Sequence, residues 1–139
     1  MNKYLGLDLG SKTLGISIST SGIIASNLET FRFTEDNYHE AIDYLTKLIK
    51  LHNITHVVLG LPRHMNHDLG IRGEISLNFK DKLQEVAPVE VILWDERLST
   101  KQAVDTLIKG SIRREKQKKL KDELAATIIL QNYLNSINK

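Results

Sequence analysis

Apolar positions along this chain follow two rhythms in turn, first one residue in two, then one in three to four. Tyr4 to Leu9 is mostly apolar and reads as a central strand, because a strand covered on both faces loses its alternation. Gly10-Ser11-Lys12-Thr13 reads as a hairpin turn. Leu14, Ile16 and Ile18 then alternate with Gly15, Ser17 and Ser19, the period of a strand. Ser21-Gly22 turns again, and Ile23 to Phe33 supplies a third, less regular strand. The chain thus opens as an antiparallel meander.

The second rhythm begins where Thr34 or Asp36 can cap a helix running to about Leu51, with Ala41, Tyr44, Leu45, Leu48 and Ile49 on one stripe. His56 to Leu61 is a short apolar run leaving through Gly60-Leu61-Pro62, hence a buried strand and its exit. Arg63 to Gly70 is a polar loop. Gly70 to Val86 is a helix presenting Ile75, Leu77, Phe79 and Leu83 in imperfect phase, and Pro88 breaks it. Val89 to Trp94 reads as a strand covered on both faces. Ser99 or Thr100 caps a helix to Ile108, with Gly110 as its C′ residue. The last helix spans roughly Leu120 to Ile137. Three strands followed by alternating helices and strands predict an α/β fold. Its sheet has five strands, an antiparallel meander then two parallel strands, with helices packed on it. In such sheets ligands collect beyond the carboxyl ends of the strands. Asp8, Gly60-Leu61-Pro62 and Asp95-Glu96 lie at such ends.

Composition narrows the chemistry. The 139 residues are 41% hydrophobic and 26% charged, values of one globular domain spanning 1–139. The absence of cysteine excludes disulfides, thiolate metal sites and a cysteine nucleophile. The opening residues lack a signal-peptide profile, and no apolar run is long enough to span a bilayer, so a cytoplasmic protein is expected. A net charge of +2 says little, but its distribution says more. Arg113, Arg114, Lys116, Lys118, Lys119 and Lys121 form a basic run against only Glu115. Such a run is by itself as consistent with a solvated face as with a polyanion-binding one.

The acids are the sharper signal. Asp8 stands at the mouth of a buried strand, where a lone carboxylate is costly unless its charge is offset. A strand alternates its faces, so of Asp95 and Glu96 one faces Asp8, and parity alone does not say which. Asp122 shares a helical face with Ala125, Ala126, Ile129 and Tyr133, and the paired alanines allow that helix to approach the sheet closely. Glu123 lies about 100° further round. Three carboxylates converging on one edge repel unless protonated, separated or bound to cations. Oxygen-only ligands suit Mg²⁺ or Mn²⁺. Two such ions can activate water and stabilise a leaving oxygen on a phosphodiester. Taken singly, each acid has a plainer reading. Asp8 suits a turn, Asp122 a first-turn acid beside the helix dipole, and Asp95-Glu96-Arg97 a surface ion-pair cluster.

Four motifs in order settle the comparison. Gly6-Leu-Asp8-Leu-Gly10-Ser-Lys-Thr-Leu-Gly15-Ile forms a first strand and hairpin. Val58-Leu-Gly60-Leu-Pro62-Arg-His-Met-Asn66 leads through to Gly70-Ile-Arg72. Asp95-Glu96-Arg97-Leu-Ser-Thr100 follows a strand, and Lys121-Asp122-Glu-Leu-Ala125-Ala126 opens the last helix. With these the chain resembles the YqgF/RuvX family, described as RuvC-like Holliday junction resolvases and as pre-16S rRNA processing nucleases. The resemblance runs nearly end to end and implies an RNase H-like fold. It implies a metal-dependent endonuclease with Asp8, Glu96 and Asp122 as catalytic acids and ligands of Mg²⁺ or Mn²⁺, two ions with substrate. The family pattern, not periodicity, selects Glu96 over Asp95. The chain departs from the pattern at His64-Met65-Asn66-His67, where the family has Asn-Met-(Asp/Asn)-Gly, and at Ile71, where proline precedes the arginine. The roles of His64 and His67 stay open between exposed loop residues and contacts to phosphate or metal.

The resemblance gives the basic residues a task. The run precedes the helix carrying Asp122, so a polyanion could cross it while its scissile phosphate reached the acids. Arg113, Arg114, Lys116, Lys118 and Lys119 are expected nucleic-acid contacts, with Lys12, Arg72 and Arg97 nearer the centre; Arg97 could equally be a structural partner of the acids. Lys and Arg neutralising phosphates give salt-dependent, largely sequence-independent affinity. Trp94, ending a buried strand, reads as core rather than a base-stacking platform. The expected partner is precursor rRNA, with a ribosomal particle as its setting, or else branched DNA; the protein is a monomer or homodimer.

Other function classes fit less well. Gly10-Ser11-Lys12 breaks the Walker phosphate-loop spacing. Actin- and sugar-kinase-like ATPases, which share the Asp-x-Gly-Ser start, need two such domains. A non-catalytic nucleic-acid-binding module would have lost an acid, and all three are present.

Overall fold

The structure is a computed structural model in which residues 1–61, 70–96 and 124–138 are described. Its centre is a five-stranded sheet in the order β3-β2-β1-β4-β5. β1 (Tyr4–Leu9), β2 (Thr13–Ser19) and β3 (Ser26–Arg32) form the expected antiparallel meander. β4 (His56–Leu61) lies parallel to β1, and β5 (Glu90–Asp95) parallel to β4. The carboxyl ends of β1, β4 and β5 therefore emerge on one edge.

Two layers of helix cover the sheet. On one face α1 (Tyr38–His52) and α2 (Gly70–Val86) bury Leu45, Ile49, Phe79 and Leu83 against Leu5, Leu7, Ile16, Val57 and Leu59. On the other face α3 (Ala125–Ile137) packs Ile129, Leu130 and Leu134 against Tyr4 and Val58, with Ile92, Trp94 and Tyr133 at the margin. Each fully buried Leu or Ile contributes about 1.5–3 kcal/mol by leaving water. Trp94 meets Tyr133 edge-on, ring centres 5.7 Å apart, the packed position its strand-end placement predicts.

The alternation in β2 has an unusual destination. Gly15, Ser17 and Ser19 share the face beneath α3, and both serines are buried. Small residues there let α3 come close. A Cβ at Gly6 would meet Ser17 Oγ and stand 2.6 Å from Leu130 Cβ and 2.8 Å from the Ala126 carbonyl oxygen. Ser17 Oγ instead donates to that carbonyl at 2.8 Å, and to the Gly6 carbonyl at 3.3 Å. The helix is thus joined to the first hairpin at its own first turn.

Three local expectations need correction. β3 begins at Ser26, not Ile23; the Ile23 and Ile24 amides donate to Ser21 Oγ, which extends the turn and leaves both side chains exposed. α1 starts after Asn37, not after Thr34 or Asp36. The Thr34 carbonyl closes a turn onto the Asn37 amide, and Asp36 takes a left-handed backbone (φ 61°) that aspartate tolerates better than most residues. In α2 the buried stripe is Gly73, Ser76, Phe79 and Leu83, with Ile75 and Leu77 half-buried. Two small residues carry half of it, so an apolar count misses its phase. The expected helix from Ser99 or Thr100 to Ile108 and the start of the last helix at Leu120 lie outside the described residues. Among the described residues no helix is long and apolar enough to cross a membrane.

Candidate active site

The sheet's geometry prepares a place for acids at one edge. Along β1, Tyr4, Gly6 and Asp8 share the face toward α3, while Leu5, Leu7 and Leu9 face α1 and α2. Asp8 is half-buried near the end of its strand, opposite Gly15 of β2. On its other side, one step beyond the Leu7–Leu59 pair, lies Gly60 of β4. Glycines on both neighbouring strands add no side chain of their own beside Asp8 and leave a shallow recess there. A Cβ at Gly15 would sit at ordinary contact, 3.6 Å from both Asp8 Cβ and Ala126 Cβ, so that side of the recess is already close to full.

Glu96 enters this recess from β5. Ile92 and Trp94 pack on the α3 side, and Val91 and Leu93 on the other. The same alternation carried two residues past Trp94 puts Glu96 on the Asp8 face and Asp95 on the opposite one. The Glu96 side chain passes over Gly60 and forms a hydrogen bond with Asp8. Burial, the neighbouring Asp8 charge and this hydrogen bond push the Glu96 carboxyl up to about 7, with Asp95 adding slightly; the Arg72 charge acts the other way. Near neutrality a substantial fraction of the Glu96 carboxyl therefore holds its proton.

Arg72, on the first turn of α2, reaches the same edge. It is half-buried, and its Nη2 donates to the Leu9 carbonyl at 2.9 Å, one residue beyond Asp8. Lys12 is exposed on the β1–β2 turn, whose Gly10 amide donates to the Thr13 carbonyl at 2.8 Å. The structure thus brings Asp8, Glu96 and Arg72 together, with Lys12 on the adjoining hairpin. Asp122, Arg97, Arg113, Arg114, Lys116, Lys118, Lys119, His64 and His67 lie outside the described residues. Among the described residues no three His, Asp or Glu side chains come together in a metal-binding group.

Two residues at this site escaped the sequence reading. Gly60 reads from the sequence as part of a strand exit, but it is the floor beneath Glu96; a glycine inside a run of Val and Leu is the signal of a close approach. Ser17 reads from the sequence as an alternating polar position, but it ties β2 to α3.

The comparisons with known proteins follow the same lines. The family model "RuvX: Holliday junction resolvase" matches residues 2–136. This chain belongs to the RuvX family. Among its RuvX-like relatives, a Staphylococcus aureus (strain bovine RF122 / ET3-1) protein named "Putative pre-16S rRNA nuclease" is 48% identical over 139 residues. The match covers 99% of this chain and 98% of that one. A protein of the same name from S. aureus strain JH9 matches to the same extent. The solved structure "T. thermophilus RuvC in complex with Holliday junction substrate" superposes with a TM-score of 0.65, at 14% identity, covering 99% of this RuvX chain and 96% of RuvC. A second Thermus thermophilus RuvC structure gives 0.61. At that identity the likeness is one of fold, and it shows the RuvC-like, RNase H-type architecture.

Proposed function

We propose that this RuvX-family chain is a metal-dependent endonuclease, one domain over 1–139, that hydrolyses phosphodiester bonds in the 5′ region of precursor 16S rRNA during ribosome assembly in the cytoplasm. The observation that carries the reading is the Asp8–Glu96 pair, two carboxylates pressed into one recess at the carboxyl edge of the sheet. The S. aureus relatives' names support RNA precursor as substrate.

The residues present fit a hard divalent cation. The donors are oxygens alone, and burial together with the Asp8 charge raises the proton affinity of Glu96, a cost that a cation would offset. Asp8, Glu96 and, by the family motif, Asp122 would hold Mg²⁺ or Mn²⁺. When bound, such ions acidify water and offset charge on a leaving oxygen. The protein's part is positional. Glu96 gives up its proton, and Asp8 and Glu96 present fixed negative charge at the strand ends, where Gly15 and Gly60 add no side chain. A water oxygen bonds to phosphorus, the P–O3′ bond breaks, and the products are a 5′-phosphate and a 3′-hydroxyl. One water proton passes to solvent and the 3′ oxygen takes one up. Lys12, Arg72, Arg97, Arg113, Arg114, Lys116, Lys118 and Lys119 supply the phosphate contacts.

A second reading, cleavage of branched DNA, is favoured by the family model's description and by the RuvC-like fold. It calls for a homodimer, which cuts two strands symmetrically; RNA cleavage by a monomer does not. The deciding test is a side-by-side assay of wild type and Asp8→Asn on precursor rRNA and on a four-way DNA junction, each with Mg²⁺ and Mn²⁺. Asp8→Asn folds and does not cleave. Full activity in that variant would end the assignment.

A further inference from the structure

A pair of carboxylates creates a difficulty for the reaction it serves. The scissile phosphodiester is itself an anion, and its charge spreads over more oxygens as attacking and leaving atoms share phosphorus. Negative groups alone repel that state, so a site built on them needs positive charge aimed where the charge develops.

Arg72 meets this need in three respects. Its Nη2 is held by the Leu9 carbonyl at 2.9 Å, which fixes the guanidinium one residue from Asp8. That bond engages one donor of the guanidinium, which carries five N–H donors in a fork that suits a phosphate. Its charge also acts on Glu96 across the same edge, which sets it beside the acids electrostatically as well as in space. Anchoring by a backbone carbonyl removes much of the freedom that a long cationic side chain would otherwise lose on meeting substrate. A general backbone contact needs none of this; a lysine on an exposed turn, such as Lys12, serves that purpose.

We propose that Arg72 is a catalytic residue of this site, its guanidinium contacting the non-bridging oxygens of the scissile phosphodiester and offsetting the charge that builds there in the transition state. The proposal rests on the nuclease reading above. It separates Arg72 from the other cations, whose contacts act on binding rather than on the chemical step.

The experiment uses wild type, Arg72→Met, Arg72→Lys and Asp8→Asn on whichever substrate the wild type cleaves, with Mn²⁺ binding followed by electron paramagnetic resonance in the absence of nucleic acid. Arg72→Met lowers kcat about 10²- to 10³-fold, as loss of a preorganised transition-state donor does. Its KM stays within about threefold of wild type, the pattern of an interaction made in the transition state. Mn²⁺ binding is retained, and added ethylguanidinium restores part of the lost kcat. Arg72→Lys keeps the charge without the fork and loses at least about tenfold in kcat. A rise in KM at unchanged kcat would overturn the proposal, since it marks an ordinary phosphate contact. So would a fall in kcat that tracks lost Mn²⁺ binding, since Arg72 would then be holding the acids in place. If Arg72→Met does not fold, a wild-type kcat in Arg72→Lys overturns it. Cleavage that survives Asp8→Asn would remove the nuclease reading, and this proposal with it; cleavage lost in Asp8→Asn but intact in Arg72→Met would remove this proposal alone.

Discussion

The Glu96 carboxylate lies directly over Gly60: a Cβ built at Gly60 would stand 2.7 Å from Glu96 Oε1 and 3.2 Å from its Cγ. The same Cβ would also stand 2.6 Å from Ile129 Cδ1 on α3. One missing methyl group thus serves the helix packing and the acid pair at once. Gly60→Ala is expected to displace Glu96 from Asp8 and to lower Mn²⁺ affinity and cleavage at least about tenfold, the loss typical of disturbed metal-site support. Ile129→Val removes the clashing Cδ1. The Gly60→Ala/Ile129→Val double variant should therefore regain melting temperature without regaining activity. Recovery of both would show that Gly60 serves helix packing alone.

The Asp8–Glu96 pair makes stability depend on pH in a direction opposite to most carboxylates. The folded Glu96 carboxyl is raised from 4.5 to about 7, so between those values the folded protein binds more protons than the unfolded chain. Stability contributed by this group is fully present below the lower value and is lost as pH rises through the upper one. Metal-free protein should melt at progressively lower temperature from about pH 5 to about pH 8, and Glu96→Gln should flatten that slope. A slope unchanged in Glu96→Gln would remove Glu96 as its source.

Cation binding should reverse this cost. Mg²⁺ or Mn²⁺ must displace the Glu96 proton, so binding releases protons near neutral pH. Calorimetric titration with Mn²⁺ in two buffers of different ionisation enthalpy should give different apparent heats. Equal heats at about pH 6.5, in a protein that does bind the ion, would mean that Glu96 does not hold a proton there.

Much of the fold was legible before any coordinates because its strands and helices carry their own signals. Tyr4–Leu9, His56–Leu61 and Gly70–Val86 match their expected bounds, since each is bracketed by Gly, Pro or a turn. The errors came where tertiary packing overrode local pattern. Ile23 and Ile24 look like strand residues, but the Ser21 hydroxyl captures their amides. Gly73 and Ser76 line the buried side of α2 because a close helix approach favours small residues over apolar ones. At the site, Asp8 was identifiable as a carboxylate ending a buried strand. The choice of Glu96 over Asp95 rests on the family motif and not on periodicity, because parity becomes meaningful only when Ile92 and Trp94 are known to face α3.

The small-residue contact between β1 and α3 yields a stability prediction. Gly6→Ala forces a Cβ against Leu130 Cβ and the Ala126 carbonyl oxygen, and neither can yield without moving the helix. It should cost about 3 kcal/mol, the upper end of overpacking. Ser17→Ala removes a buried donor and leaves the Ala126 carbonyl short of a partner, costing about 1–3 kcal/mol. Urea denaturation measures both; a neutral Gly6→Ala would mean that α3 does not pack as closely as described.

Salt dependence tests the basic run. Replacing Arg113, Arg114, Lys116, Lys118 and Lys119 by glutamine should weaken nucleic-acid binding and flatten the plot of log affinity against log salt by about 0.7–0.9 per lost phosphate contact. An unchanged slope would take the run off the binding surface.

The bond from Ser17 to the Ala126 carbonyl spans 109 residues of sequence. A ribosome extending the chain at about 5–20 residues per second needs about 5–20 s to travel that far. Throughout that interval the hairpin bearing Asp8 exists without the helix that covers Gly6 and Ser17. The face of the sheet that carries Gly6, Ser17 and Asp8 is therefore closed over late in synthesis, when α3 docks.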